Sequence, residues 1–115
     1  MKIPKIKKVE FGNIQVNEKT FANDDFILFW NDCVAAEKSH NPSIDEFQDI
    51  LIREPELIIF GTGFSSCVKI SDAIKQEAEK HKIGLIALRT PEALKSFQEL
   101  AKAGKKVAAR IHTTC

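Results

Sequence analysis

Gly61-Thr62-Gly63-Phe64-Ser65-Ser66 opens like a dinucleotide-binding turn, in which glycines let the backbone approach a phosphate. The third glycine is missing, because Ser66 stands there. No acidic residue closes the next apolar run, where Arg89 stands instead, and no Gly-Lys-Ser forms a P-loop. These departures favour a tight strand exit over a nucleotide site. A small anion held by backbone amides is the binding reading that survives. His112 and Cys115 have His-x-x-Cys spacing. Two ligands do not complete a zinc site and no Cys-x-x-Cys pair supplies the rest, so no metal site is expected. Cys115 with His112 as base would make a nucleophile. The favoured alternative has the tail packed over the strand ends with both residues buried. Asp24-Asp25 suits a turn and Asp45-Glu46 a helix start, so neither pair is given acid–base work. Cys33 and Cys67 read as small core or loop residues. No catalytic residue, cofactor or metal ligand is assigned.

The elements that must position these groups are legible in the patterning. Leu57 to Phe60 is an apolar run that stops at two glycines, which reads as a buried strand and its exit loop. Ser71 caps a helix with Ile70, Ile74 and Ala78 on one face. Ile83 to Leu88 is the next strand. Thr90 caps a second helix with Pro91 at its first position, a buried stripe of Leu94, Phe97, Leu100 and Ala101, and Gly104 as the left-handed closing residue. Lys106 to His112 is the last strand, with Val107, Ala109 and Ile111 on one side and Ala108, Arg110 and His112 on the other. This makes two successive βαβ units with parallel strands. The carboxyl ends of such strands form the ligand-binding edge of an open α/β sheet. They gather Gly61, Thr62, Gly63, Arg89, Thr90, His112 and Cys115 into a candidate ligand rim. Thr114 and Cys115 lie beyond the strand, so losing them is expected to be mild.

Upstream, Val9 and Phe11 alternate with polar residues, as do Ile14 and Val16, and Gly12-Asn13 lies between. The reading is an antiparallel hairpin with one buried face, Thr20-Phe21 pairing back and Asn23-Asp24-Asp25 turning the chain. Phe26 to Trp30 is a strand covered on both faces. Asn31 to Asn41 reads as a loop with a helical turn at Cys33 to Lys38. Ser43 and Glu46 form a capping box ahead of a helix carrying Ile44, Phe47, Ile50 and Leu51, which ends before Pro55. The expected fold is a three-layer α/β domain over residues 1–115. Its central sheet is mixed and largely parallel, with residues 1–30 β-rich and 43–115 α/β.

The 115 residues carry 17 basic and 16 acidic side chains, a balance that argues against nucleic acid as partner. The apolar runs are too short to cross a bilayer and no secretory signal is read at the start, so a cytoplasmic location is expected. Three widely spaced cysteines fit a reducing compartment.

Ile59-Phe60-Gly61-Thr62-Gly63, Val68-Lys69-Ile70, Leu88-Arg89-Thr90-Pro91-Glu92-Ala93 and His112-Thr113-Thr114-Cys115 occur in that order. Together they resemble a family of small single-domain proteins of unknown function. Its members in animals include the adipogenesis-associated domain protein and the mitochondrial complex I assembly factor three. The resemblance implies a three-layer α/β fold with an extra β element, and an assembly role. Lys82 stands where many members have a glycine after the helix, which implies a strained cap. The leading functional expectation is a non-catalytic protein-interaction or assembly module, with a protein partner or a second copy of the chain bound to it. The alternative is a protein, or an enzyme, that binds a small molecule or anion at the Gly61–Gly63 rim.

Overall fold

A computed structural model describes residues 2–115. β1 (Ile6–Glu10), β2 (Asn13–Val16) and β3 (Lys19–Ala22) form an antiparallel three-stranded sheet. Gly12, Asn17 and Asn23 make its turns at φ of 71°, 53° and 59°, a region that glycine and asparagine enter most easily. β4 (Asp25–Phe29), β5 (Asp32–Ala36), β6 (Leu57–Gly61), β7 (Gly84–Leu88) and β8 (Val107–Ile111) form a second sheet in the order β5-β4-β8-β6-β7. β8 runs parallel to β6 and antiparallel to β4, and β7 runs parallel to β6. The sheet is mixed, as expected, with two βαβ crossovers.

The crossovers travel in opposite directions from β6 and β7, so their common right-handedness sends α2 (Asp72–Lys80) and α3 (Thr90–Lys102) to opposite faces. α1 (Ile44–Leu51) shares the α2 face, and the three-stranded sheet shares the α3 face. Strand alternation divides the core accordingly. Phe26, Leu28, Ile59, Val107, Ala109 and Ile111 pack with Leu94, Phe97, Ile14 and Val16. Ile27, Phe29, Ile58, Phe60 and Ala108 pack with Phe47, Ile50 and Ile74. β4 and β8 are buried along their whole length, which accounts for their apolar character apart from Asp25 and Arg110. Trp30 is half-buried against the Phe29 ring and completes the second cluster.

Helix ends follow local chemistry. Ser43 and Ser71 accept the amides of Glu46 and Ile74. Gly104 adopts φ 85° just after α3, and Lys82 adopts φ 56° after α2, the left-handed site that the resemblance implied for a glycine.

Four local expectations are corrected. Asp32–Ala36 is an edge strand paired with β4, not a loop with a helical turn; its partner supplies the ladder that a short Cys-Val-Ala-Ala run cannot advertise by alternation. Val9 and Phe11 are not buried with Ile14 and Val16: Val9 is 38% exposed because β1 is an outer strand that α3 covers incompletely, and Phe11, 61% exposed, lies in the turn beyond β1. Thr90 is the first residue of α3 rather than its cap; Arg89 takes the cap position, without a side-chain hydrogen bond. The Glu46 carboxylate does not return to Ser43 but reaches Arg110 on β8.

Candidate functional site at the carboxyl edge

The strand register sets Gly61 between Leu88 of β7 and Ile111 of β8, so three carboxyl ends lie side by side. Thr90 clamps two of the segments that leave them. Its hydroxyl donates to the His112 carbonyl at 2.6 Å and accepts the Gly63 amide at 3.0 Å. The residues after β8 then run across the loop that follows β6. Phe64 N donates to Thr114 O at 2.8 Å, and the amides of Ser65 and Cys67 donate to Cys115 O at 2.6 and 3.3 Å. On the other side, Gly12 N donates to Thr113 O at 2.6 Å. His112, Thr113 and Thr114 are buried.

The tail therefore plugs the edge over the loop that follows β6. The amides of Thr62, Gly63, Phe64, Ser65, Cys67 and Val68 all donate within the chain, so the cradle that an anion would need is filled by the protein's own carbonyls and the Thr90 hydroxyl. Because Thr114 and Cys115 lie outside the strand, the sequence predicts only a mild effect of losing them. Their carbonyls instead take three loop amides, so their removal would leave those donors unpaired. Of the expected rim, Gly61, Gly63, Thr90, His112 and Cys115 come together. Arg89 does not join them: it pairs with Glu92 at 3.4 Å and, with Thr62 and Ser66, lines an open cleft of 430 Å³.

Beneath the tail lies a buried polar network that the sequence reading missed. Asp25 Oδ2 accepts from Arg110 Nη1 at 2.8 Å, from the Ser39 amide at 3.2 Å and from the His112 Nδ1 side at 2.9 Å. Asp25 Oδ1 accepts the Thr113 amide at 3.3 Å. Arg110 also donates through Nε to Glu46 and through Nη2 to the Glu37 carbonyl. Asp25 is 0% and Arg110 1% exposed, so neither charge is tolerable without the other. Asp25 is thus a buried charge partner at the start of β4, not the turn residue its neighbours Asn23 and Asp24 suggested. A clue was present: Arg110 is a lone charge facing inward in a central apolar strand.

His40 is the second omission. Its Nε2 lies 3.2 Å from Cys115 Sγ, and its ring meets His112 edge-on with centroids 4.8 Å apart. One ligand atom from each of His40, His112 and Cys115 lies within 4.8 Å of the others. Nothing in the loop sequence marks His40; its role depends on β5 and α1 holding it over the tail. A hydrogen bond with the Cys115 thiol raises the Cys67 thiol above its ordinary range. Burial pushes Cys33 up to about 11.

This three-layer arrangement is a fold shared by several solved structures. The chain belongs to the family of proteins of unknown function DUF498/DUF598, whose pattern matches residues 6–112. It is similar to the conserved hypothetical protein PH1505 of Pyrococcus horikoshii OT3, with 26% identity, a TM-score of 0.86, and 96% of this chain and 99% of that one covered. The XCC1710 protein of Xanthomonas campestris superposes with a TM-score of 0.76 at 19% identity, covering 96% and 84% of the two chains. A protein described as an outer membrane protein from Bartonella henselae superposes with a TM-score of 0.83 at 15% identity, covering 99% and 97%. The last two establish the fold alone. Among the described residues, no helix is long and apolar enough to cross a membrane.

Proposed function

We propose that the chain works as a non-catalytic protein-interaction module that docks an extended segment of a partner protein along β1. The carrying observation is a groove of 310 Å³ walled by Ile6 and Val9 of β1 on one side and by Pro91, Leu94 and Gln98 of α3 on the other. β1 is an outer strand, so a peptide can extend its sheet while alternate side chains drop into the groove. A second hollow of 430 Å³ continues past Ile3 and Pro4. Exposed Lys2, Lys5, Lys95 and Lys102 stand along the two hollows and outnumber the single acidic lining residue, Glu99. Lysines protect such an edge from indiscriminate pairing and favour a segment that carries acidic residues beside its apolar ones. The assembly role implied by the family resemblance agrees with this reading.

A displayed random-peptide library panned on the immobilised protein tests it. Enriched sequences should alternate apolar residues with Asp or Glu, weaken as salt rises, and be lost on Val9→Glu. No enrichment above blank beads, or enrichment unchanged by Val9→Glu, rejects the β1 site. Self-association that Val9→Glu abolishes would instead identify a second copy as the occupant.

A further inference from the structure

We propose that His40, His112 and Cys115 bind a zinc-class divalent cation. Such ions are borderline-soft and take imidazole and thiolate ligands together. The three residues come from separate segments: the loop before α1, the end of β8 and the tail that crosses the edge. Zn–N and Zn–S bonds of about 2.0–2.3 Å place the ligands of a tetrahedral ion roughly 3.3–3.8 Å apart. The three ligand atoms already lie within 4.8 Å of one another, and the His40–Cys115 pair is at 3.2 Å.

The orientation of His112 is the strongest part of the argument. Its Nδ1 faces the Asp25 carboxylate at 2.9 Å, so the neutral ring carries its proton there and leaves the lone pair on Nε2. A carboxylate behind a histidine is how metal-binding imidazoles are held in one tautomer and made more basic. Nε2 is met by the Thr114 hydroxyl at 3.1 Å, a contact that an arriving ion replaces. Arg110 offsets the Asp25 charge, so the support behind His112 is fixed in the fold. His40 is exposed and Cys115 half-buried, which gives the ion a route from solvent and leaves its fourth position to water. On binding, Cys115 passes its thiol proton to solvent and coordinates as thiolate. The site neither uses nor requires the β1 groove.

The test is titration of the Cys33→Ser/Cys67→Ser protein with Co2+ under anaerobic, reducing conditions. This background leaves Cys115 as the sole thiol and prevents a Cys67–Cys115 disulfide. One equivalent of Co2+ should produce a thiolate-to-cobalt charge-transfer band, and one equivalent of Zn2+ should abolish it. Adding Cys115→Ser should remove the band, and adding His40→Ala should weaken binding at least tenfold. His40 is exposed and Cys115 half-buried, and unchanged circular dichroism would verify folding. Zinc should also raise the melting temperature of the parent but not of the Cys115→Ser protein. No band at millimolar Co2+, or a band that survives Cys115→Ser, overturns the proposal.

Discussion

Arg110 shows how one side chain can set the terms for a whole edge. It lies in a strand of small and branched apolar residues, 1% exposed, with its three donor groups spent on Asp25, Glu46 and the Glu37 carbonyl. Removing one partner of such a pair leaves the other charged and buried, at a cost of about 3–5 kcal/mol. That is a large share of the roughly 5–15 kcal/mol that a domain has. Arg110→Met is therefore expected to lower the stability strongly. Asp25→Leu combined with Arg110→Met should lose clearly less than the sum of the two single changes, because neither charge is then stranded. Urea denaturation midpoints measure this; additive losses would mean that the pair is not coupled. Cys33 gives a prediction in pH. Its thiol titrates near 11 in the fold because burial penalises the thiolate, against 9.0 as its ordinary value. Its protonated form is thus favoured by folding. The stability it contributes is full below pH 9 and is lost as pH rises from 9 towards 11. At pH 8, iodoacetamide should label Cys33 at least tenfold more slowly in the native protein than in urea, since two pKa units reduce the thiolate about a hundredfold. Equal rates would remove the buried thiol from the account. At this scale the sequence was least informative. Asp25 and Arg110 are 85 positions apart, and the loop residue His40 is 75 from Cys115, so nothing local announces either pairing.

The elements were more legible, and unevenly so. β6, α2, β7, α3 and β8 carry their own signals: apolar runs ended by glycine or a cap, and helical stripes of the right period. β5 carries none, because an edge strand of small residues needs its neighbour before it can be recognised. The exposed face of β1 is not legible in the sequence, because alternation reveals which residues share a side, not whether another element covers it. The glycines separate two kinds of constraint. Gly63 and Gly104 both have positive φ, at 99° and 85°, which costs a substituted alanine about 1–2 kcal/mol. A Cβ at Gly104 meets nothing within 4 Å, whereas one at Gly63 would overlap the main-chain carbon and oxygen of Cys115. Gly63→Ala should therefore destabilise well beyond Gly104→Ala, and it should displace the tail. Thermal denaturation of the two variants compares them; equal melting temperatures would mean that the tail does not lie on the loop.

For the molecule as a whole, the layers assign separate tasks. The five-stranded sheet and its helices supply the core, and the three-stranded sheet extends the α3 face and leaves β1 open beside it. The carboxyl edge is where an α/β sheet ordinarily receives a ligand; here the tail occupies it over the loop after β6, and a cleft stays open beside β7. The sequence pointed to that edge and to most of its residues, because strand ends and glycines mark it. It could not say whether the edge is open, because that depends on where the last residues fold back. The tail over the Gly61–Gly63 loop is the reason the proposed docking site is β1 and not that rim. Amide hydrogen exchange read at single residues tests it most directly. The amides of Phe64, Ser65 and Cys67, which donate to Thr114 and Cys115, should exchange slowly, with protection comparable to the ladders of β6 and β8. Exchange at the rate of an exposed loop would contradict the account and return the rim to an open ligand site.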